Sequence, residues 1–431
     1  MVIEFKNIRK IMNKVKVVSI GIWLVVLCAV TAPRAWVSLT MPSATAYVRA
    51  TGMPVEWEWL DAAQTASFFE GDPSWRNRGG GYLTDQNASR TVAPVFISIV
   101  GKWVHDAWLA AVICTWFVWC VCVWAIVKLT RESGRIGSTV NGLTAAGTAS
   151  VVLSATATGF LGNVGDIDAH VFGYAAVAVG LLLFIFCIAR PLHPPGRGRV
   201  SPTLVGFAIF ILDGTLQLGA PLVGFASGLL LWRGVWLPQA DRRQEFLRFG
   251  KSLVVFVGLA VVWVVIARTG SDGVFDVHNE AFSRAREALT DPAGLLLTFP
   301  FKAIGVLRIA LDLFRWWLVA AAFVGWFAAS AETKVWTLGW IGLIVLATVL
   351  TRYTASTVYL MFPAVYVLAS ICAGLIADRI VPLLPMRVAD GRGEFFAVAV
   401  GVSAVSFIPA VTQLSFLWGD YTMPAVWWPG P

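Results

Sequence analysis

Charge is the scarcest commodity in this chain. Only 13% of its 431 residues are Asp, Glu, Lys or Arg, where a soluble domain carries about a quarter. That shortage excludes a soluble multidomain protein, because the apolar runs left over are too many and too long to hide in cores. Paired cysteines are also missing. The six cysteines, Cys28, Cys114, Cys120, Cys122, Cys187 and Cys372, all fall inside apolar runs. No disulfide framework follows from them, and Cys120 and Cys122 are too close for a CxxC motif. They read as small membrane-core residues. Nor do the basic residues form one patch, although the net charge is +8. They sit in short clusters between apolar runs, as membrane topology expects, so no nucleic-acid partner is implied.

What is present is a series of apolar runs, several of about 17–25 residues, the length that crosses a hydrocarbon core of about 30 Å as a helix. The expected fold is therefore all-α, a polytopic transmembrane bundle of about 10–11 spans in a single membrane domain. Lys6, Arg9, Lys10, Lys14 and Lys16 place the N-terminus in the cytoplasm. The following run, Val17 to Val30, reads as a first span, with a cleaved signal peptide as the alternative. Further spans are expected at about 108–126, 142–161, 171–188, 253–266, 316–329, 335–350, 358–376 and 395–414. The run 142–161 is rich in Ala, Thr, Ser and Gly, residues that let membrane helices approach closely.

Residues 202–232 are flanked on both sides by basic clusters, Arg197 and Arg199 before and Arg233, Arg242, Arg243 and Arg248 after. Both flanks read as cytoplasmic, yet the segment is too short for two full spans. A hairpin of two short helices is expected, breaking near Asp213 and Gln217, with one long tilted helix as the alternative. Broken backbone at membrane depth is tolerated only where protein or a wet cavity surrounds it.

Polar residues gather in the segments this topology places outside. The first extracytoplasmic loop, 33–102, carries Glu56, Glu58, Asp61, Glu70, Asp72, Asp85 and Arg90. A second outer loop holds Asp166, Asp168 and His170. A third outer segment, 267–313, holds Asp276 and His278 and ends in an amphipathic stretch from Leu295, which suits a helix lying in the interface. Arg352 and Tyr353 lie outside between two late spans. Asp166, Asp168 and His170 could hold a divalent cation, or the two acids could simply open a helix. Asp213 stands inside an apolar run, where ionisable groups are costly and face a cavity or a partner.

This layout resembles the GT-C superfamily of integral-membrane glycosyltransferases. The resemblance rests on an acid in the first outer loop (Asp61 in Glu56-Trp-Glu-Trp-Leu-Asp61, or Asp85) and on Tyr82, Arg90 and Pro94 before the second span. Arg352-Tyr353 followed by Pro363 is the late counterpart. No clean Asp-Glu or Asp-Asp pair stands in the first loop, and the large soluble C-terminal domain of some members is absent. The resemblance implies transfer of a sugar from a polyprenyl-phosphate carrier to an acceptor at the extracytoplasmic face of a membrane, in bacteria the cytoplasmic membrane. Asp61 or Asp85 would be the catalytic base on the acceptor hydroxyl. Arg352, with Tyr353 and Arg90, would meet the lipid phosphate, and Asp213 and Gln217 the substrate. No cofactor is called for by the sequence, a divalent cation being the one candidate. Two other readings stay open: a transporter or flippase, which uses broken helices at its binding site, and a polysaccharide polymerase or ligase, which would rely on Arg284 and Arg286.

Overall fold

The structure is a computed structural model that describes residues 92–133, 140–156, 169–185, 201–216, 219–236, 239–268, 290–350 and 355–380. Its elements are helices: α1 (Val92–Val104), α2 (Ala107–Glu132), α3 (Val140–Thr156), α4 (Ala169–Phe184), α5 (Pro202–Leu216), α6 (Gly219–Trp236), α7 (Gln239–Arg268), α8 (Pro292–Ala328), α9 (Ala331–Leu350), α10 (Ala355–Tyr359) and α11 (Phe362–Ile380). The chain is an all-α membrane bundle. Segments 108–132, 331–350 and 357–380 are long and apolar enough to cross a bilayer, and shorter apolar helices surround them.

Two helices form the centre. Every described residue of α4 from Val171 on is buried except Val179 and Leu183, and α11 is buried from Phe362 to Gly374. Around them, α4 packs on α2, α5 and α6, while α11 packs on α8, α3, α2 and α9. Small residues set the closest approaches. A Cβ added at Gly325 of α8 would fall on the Leu368 carbonyl oxygen of α11, and one at Gly374 would lie 2.7 Å from the Gly142 carbonyl oxygen of α3. Several hydroxyls inside these apolar helices are hidden by bonding back to their own helix. Thr130, Ser227, Thr337 and Thr348 donate to the carbonyls of Ile126, Val223, Thr333 and Ile344, which spares the cost of a bare hydroxyl in an apolar setting.

The bundle has two distinguishable ends. At one, which we call the closed end, α2 finishes against the start of α9 and α11 finishes against the start of α3. Thr333 Oγ1 donates to the Ser133 carbonyl just beyond α2. Its single proton is thereby used, so the Ser330 hydroxyl, 2.9 Å away, must donate to Thr333 Oγ1. Ser330 Oγ in turn accepts from the Thr333 amide at 3.2 Å. The Asp378 carboxylate sits against Gly142, in the first turn of α3, close enough that a Cβ there would collide with it. A carboxylate at a helix start meets unsatisfied amides and the positive end of the dipole.

At the opposite end, the open end, α1 turns into α2. His105 adopts a left-handed φ of 57° and its amide donates 2.7 Å to the Gly101 carbonyl. Asp106 then caps α2 by accepting from the Trp108 and Leu109 amides at 2.8 and 3.2 Å, satisfying two of the orphan donors of a helix start. Helix α1 runs back down α2: Gly101 faces Ala110, and the Phe96 ring stands 6.1 Å from Phe117.

Three stretches take a different local form from the one expected. Residues Val92–Val104, placed in the first outer loop, form a helix of 13 residues packed on α2. The stretch beginning at Leu295 is not a separate interfacial helix. It belongs to α8, one helix of 37 residues that contains Pro300. Pro300 is exposed, so the carbonyl it leaves unbonded is not trapped in the core. At about 1.5 Å per residue α8 is about 55 Å long, well beyond the hydrocarbon core. Its Lys302 donates 3.2 Å to the Val349 carbonyl in the last turn of α9, so the residues before Lys302 project past that turn. Finally, the span expected at 253–266 is the second half of α7, which starts at Gln239.

Candidate functional site

Gly180 of α4 reports on the break between α5 and α6. A Cβ there would lie 3.1 Å from both Leu222 methyl carbons and 3.2 Å from Leu212 Cδ1. Ten residues of straight helix would separate Leu212 from Leu222 by about 15 Å, too far for both to close on one point. The two helices therefore do not share an axis, and they pack on one another. One helix ends at Leu216 and the next begins at Gly219. Asp213, half-buried and adjacent to Leu212, is thus carried to the depth of Gly180, about 16 Å along α4 from its first residue.

Helix α5 also packs on α1 and α4, and α1 reaches α4 through Phe96 and Phe172, whose rings meet edge-on at 6.3 Å. So α1, α4 and α5 converge. Each is the carrier or the immediate neighbour of a nominated residue. Arg90 precedes Val92 by two positions, His170 lies in the first turn of α4 just after Asp166 and Asp168, and Asp213 is in α5.

An aromatic cluster extends this convergence to the late helices. Tyr174 of α4 meets Tyr359 of α10 at 4.8 Å and Phe362 of α11 at 5.8 Å. Phe314 of α8 stacks on Tyr359 at 5.6 Å. The Tyr359 and Tyr366 hydroxyls are 3.1 Å apart and buried. The cluster sits where α10 gives way to α11. Pro363, near the start of α11, brings no amide proton, and the chain turns at Leu360 and Met361. The Leu360 carbonyl accepts from Trp340 Nε1 of α9 at 2.8 Å, so the turn is paired although buried. Arg352 and Tyr353 precede α10 by two or three residues.

Of the nominated residues, Asp213 is fully described and His170 is described in its backbone. Asp61, Asp85, Arg90, Asp166, Asp168, Gln217, Arg352 and Tyr353 lie outside the described residues, as do Arg284 and Arg286. Among the described residues no group of three metal-ligating side chains comes together. The tyrosine cluster was not foreseen. Its signal was faint but real: three of only seven tyrosines stand in otherwise apolar runs. No protein-family model matches the chain, and no curated protein matches it.

Proposed function

We propose that the protein is a membrane glycosyltransferase that moves a sugar from a polyprenyl-phosphate carrier to an acceptor at the extracytoplasmic face. The observation that carries this reading is the convergence on α4 of the helices that hold or adjoin Arg90, His170, Asp213 and Arg352. A lipid-linked sugar phosphate needs a cationic partner for its phosphate and a carboxylate for its acceptor, beside an apolar surface for the prenyl chain. Arg352 and Arg90 are assigned to the phosphate. Asp61 is the base, with Asp85 in reserve, and Asp213 binds the polar part of the substrate. Orientation follows the cations. The closed end carries Lys128, Arg131, Lys334 and Arg379, which assigns it to the cytoplasm and the open end to the outside.

The test is transfer from a panel of radiolabelled polyprenyl-phosphate sugars by wild type, Asp61→Asn, Asp85→Asn and Arg352→Ala, each first shown to be folded. Transfer by wild type that collapses in Arg352→Ala and in one acid variant is the expected result. A wild type inert toward every donor would set the reading aside.

Transport is the second reading, favoured by one specific feature. The α5–α6 break beside an acid at mid-depth is also how transporters build a substrate site. Flux of a labelled substrate into vesicles that Asp213→Asn abolishes, without any transfer product, would select it.

A further inference from the structure

A second amphipathic feature lies at the closed end, away from the break and the tyrosine cluster. Lys334, in the first turn of α9, places its ammonium 5.3 Å from the centroid of the Trp326 ring. Trp326 meets Phe327 edge-on at 5.2 Å, and Phe327 meets Phe323 at 4.9 Å. Phe323 and Phe327 are 61% and 60% exposed. The four side chains thus form a strip with one cation at the rim of the bundle and aromatic rings running inward along α8. The hydroxyl chain from Ser330 through Thr333 to the Ser133 carbonyl fixes the α8–α9 turn against the end of α2. That brings the last turns of α2, with Lys128 and Arg131, to the same rim.

The strip has an unusual charge balance. Glu132 and Glu332 have contacts, but among the described residues no carboxylate pairs with Lys334, Lys128 or Arg131. Lys334 is half-buried and held over an indole face, which attracts a cation through the ring quadrupole. A lysine that merely snorkels needs no such cradle.

We propose that this strip binds one anionic phospholipid, its phosphate against Lys334 and an acyl chain along Trp326, Phe327 and Phe323. The order of groups decides the occupant. A cation at the rim followed by exposed rings toward the bundle middle matches a lipid's phosphate followed by its chain. A soluble anion would leave the rings bare, and a zwitterionic lipid would bring its own cation to Lys334. Basic pockets between membrane helices on the cytoplasmic side are a known class of headgroup site.

The experiment uses the full chain purified in detergent and titrated with phosphatidylglycerol or phosphatidylcholine under native mass spectrometry. Wild type is expected to retain phosphatidylglycerol preferentially. Lys334→Gln should bind it about five-fold more weakly, the worth of one lysine near an anionic surface. Lys251→Gln, which removes an exposed cation on α7, should bind as wild type does. Phe327→Ser supplies a second arm, lowering retention of the lipid without touching charge. Equal retention of the two lipids by wild type would overturn the proposal. So would equal losses in Lys334→Gln and Lys251→Gln, or displacement of the lipid by inorganic phosphate.

Discussion

The closed end of the bundle and its interrupted helices treat their helix termini differently. At the closed end, side chains from one helix finish the backbone of another: Thr333 serves the carbonyl after α2, and the Asp378 carboxylate stands at the start of α3. The polar groups there are spent on holding helices together. Elsewhere, α5 breaks from α6 beside α4 at mid-depth, α10 breaks from α11 at Leu360, and toward the open end α8 runs on past the last turn of α9. Interruptions inside a membrane need partners for the freed backbone groups, as Trp340 provides at Leu360. The difference teaches where to look for function: among the interruptions, not among the caps.

Changes that ignore this division should hurt most. Gly325→Val drives a side chain into the Leu368 backbone and should cost about 3 kcal/mol or more, seen as loss of monodisperse protein on size-exclusion chromatography. Next comes the contrast that probes the interruptions against the closed end. Asp213→Asn should leave thermal unfolding nearly unchanged and lower transfer about 100-fold, the lower range for a positioned ionisable group. Thr333→Val should do the reverse, lowering stability by about 1–2 kcal/mol by leaving a buried carbonyl unmet while the folded fraction keeps its activity. Tyr359→Phe removes one hydroxyl of the buried pair and should cost about 1 kcal/mol, read from the melting temperature. At the small end, Gly342→Ala on α9 meets open space and should stabilise slightly, by up to about 1 kcal/mol. An Asp213→Asn protein that unfolds as readily as Thr333→Val would erase the distinction between the interruptions and the caps.

The long spans were legible because an apolar run of span length has one stable home, and 108–132, 331–350 and 357–380 are such runs. Helix α1 was not, because 13 residues are too few to cross a membrane and its helical state depends on packing against α2. Helix α8 was divided at residue 313, since the mixed charged and apolar residues up to there, Lys302 and Arg308 among them, look like an interfacial stretch in sequence, while the bundle carries them on into the apolar run 316–329 as one helix. Charged residues at the start of α7 hid its first turns in the same way. At the site, Asp213 stood out because an acid within an apolar run is costly to bury. The tyrosine cluster did not, because residues 174, 314, 359 and 366 come from four helices and only the packed bundle brings them together. The acids of the first loop were legible as residue types, but a loop acid carries no periodicity that would tell a base from a solvated carboxylate.

The most direct measurement is sugar transfer by wild type, Asp61→Asn, Arg352→Ala and Asp213→Asn, assayed side by side on polyprenyl-phosphate donors with folding checked by thermal melts. The account predicts transfer by wild type and at least 100-fold losses in Arg352→Ala and Asp213→Asn at unchanged stability. Full activity in both of those variants would contradict the claim that the interrupted helices of the bundle are where the chemistry occurs.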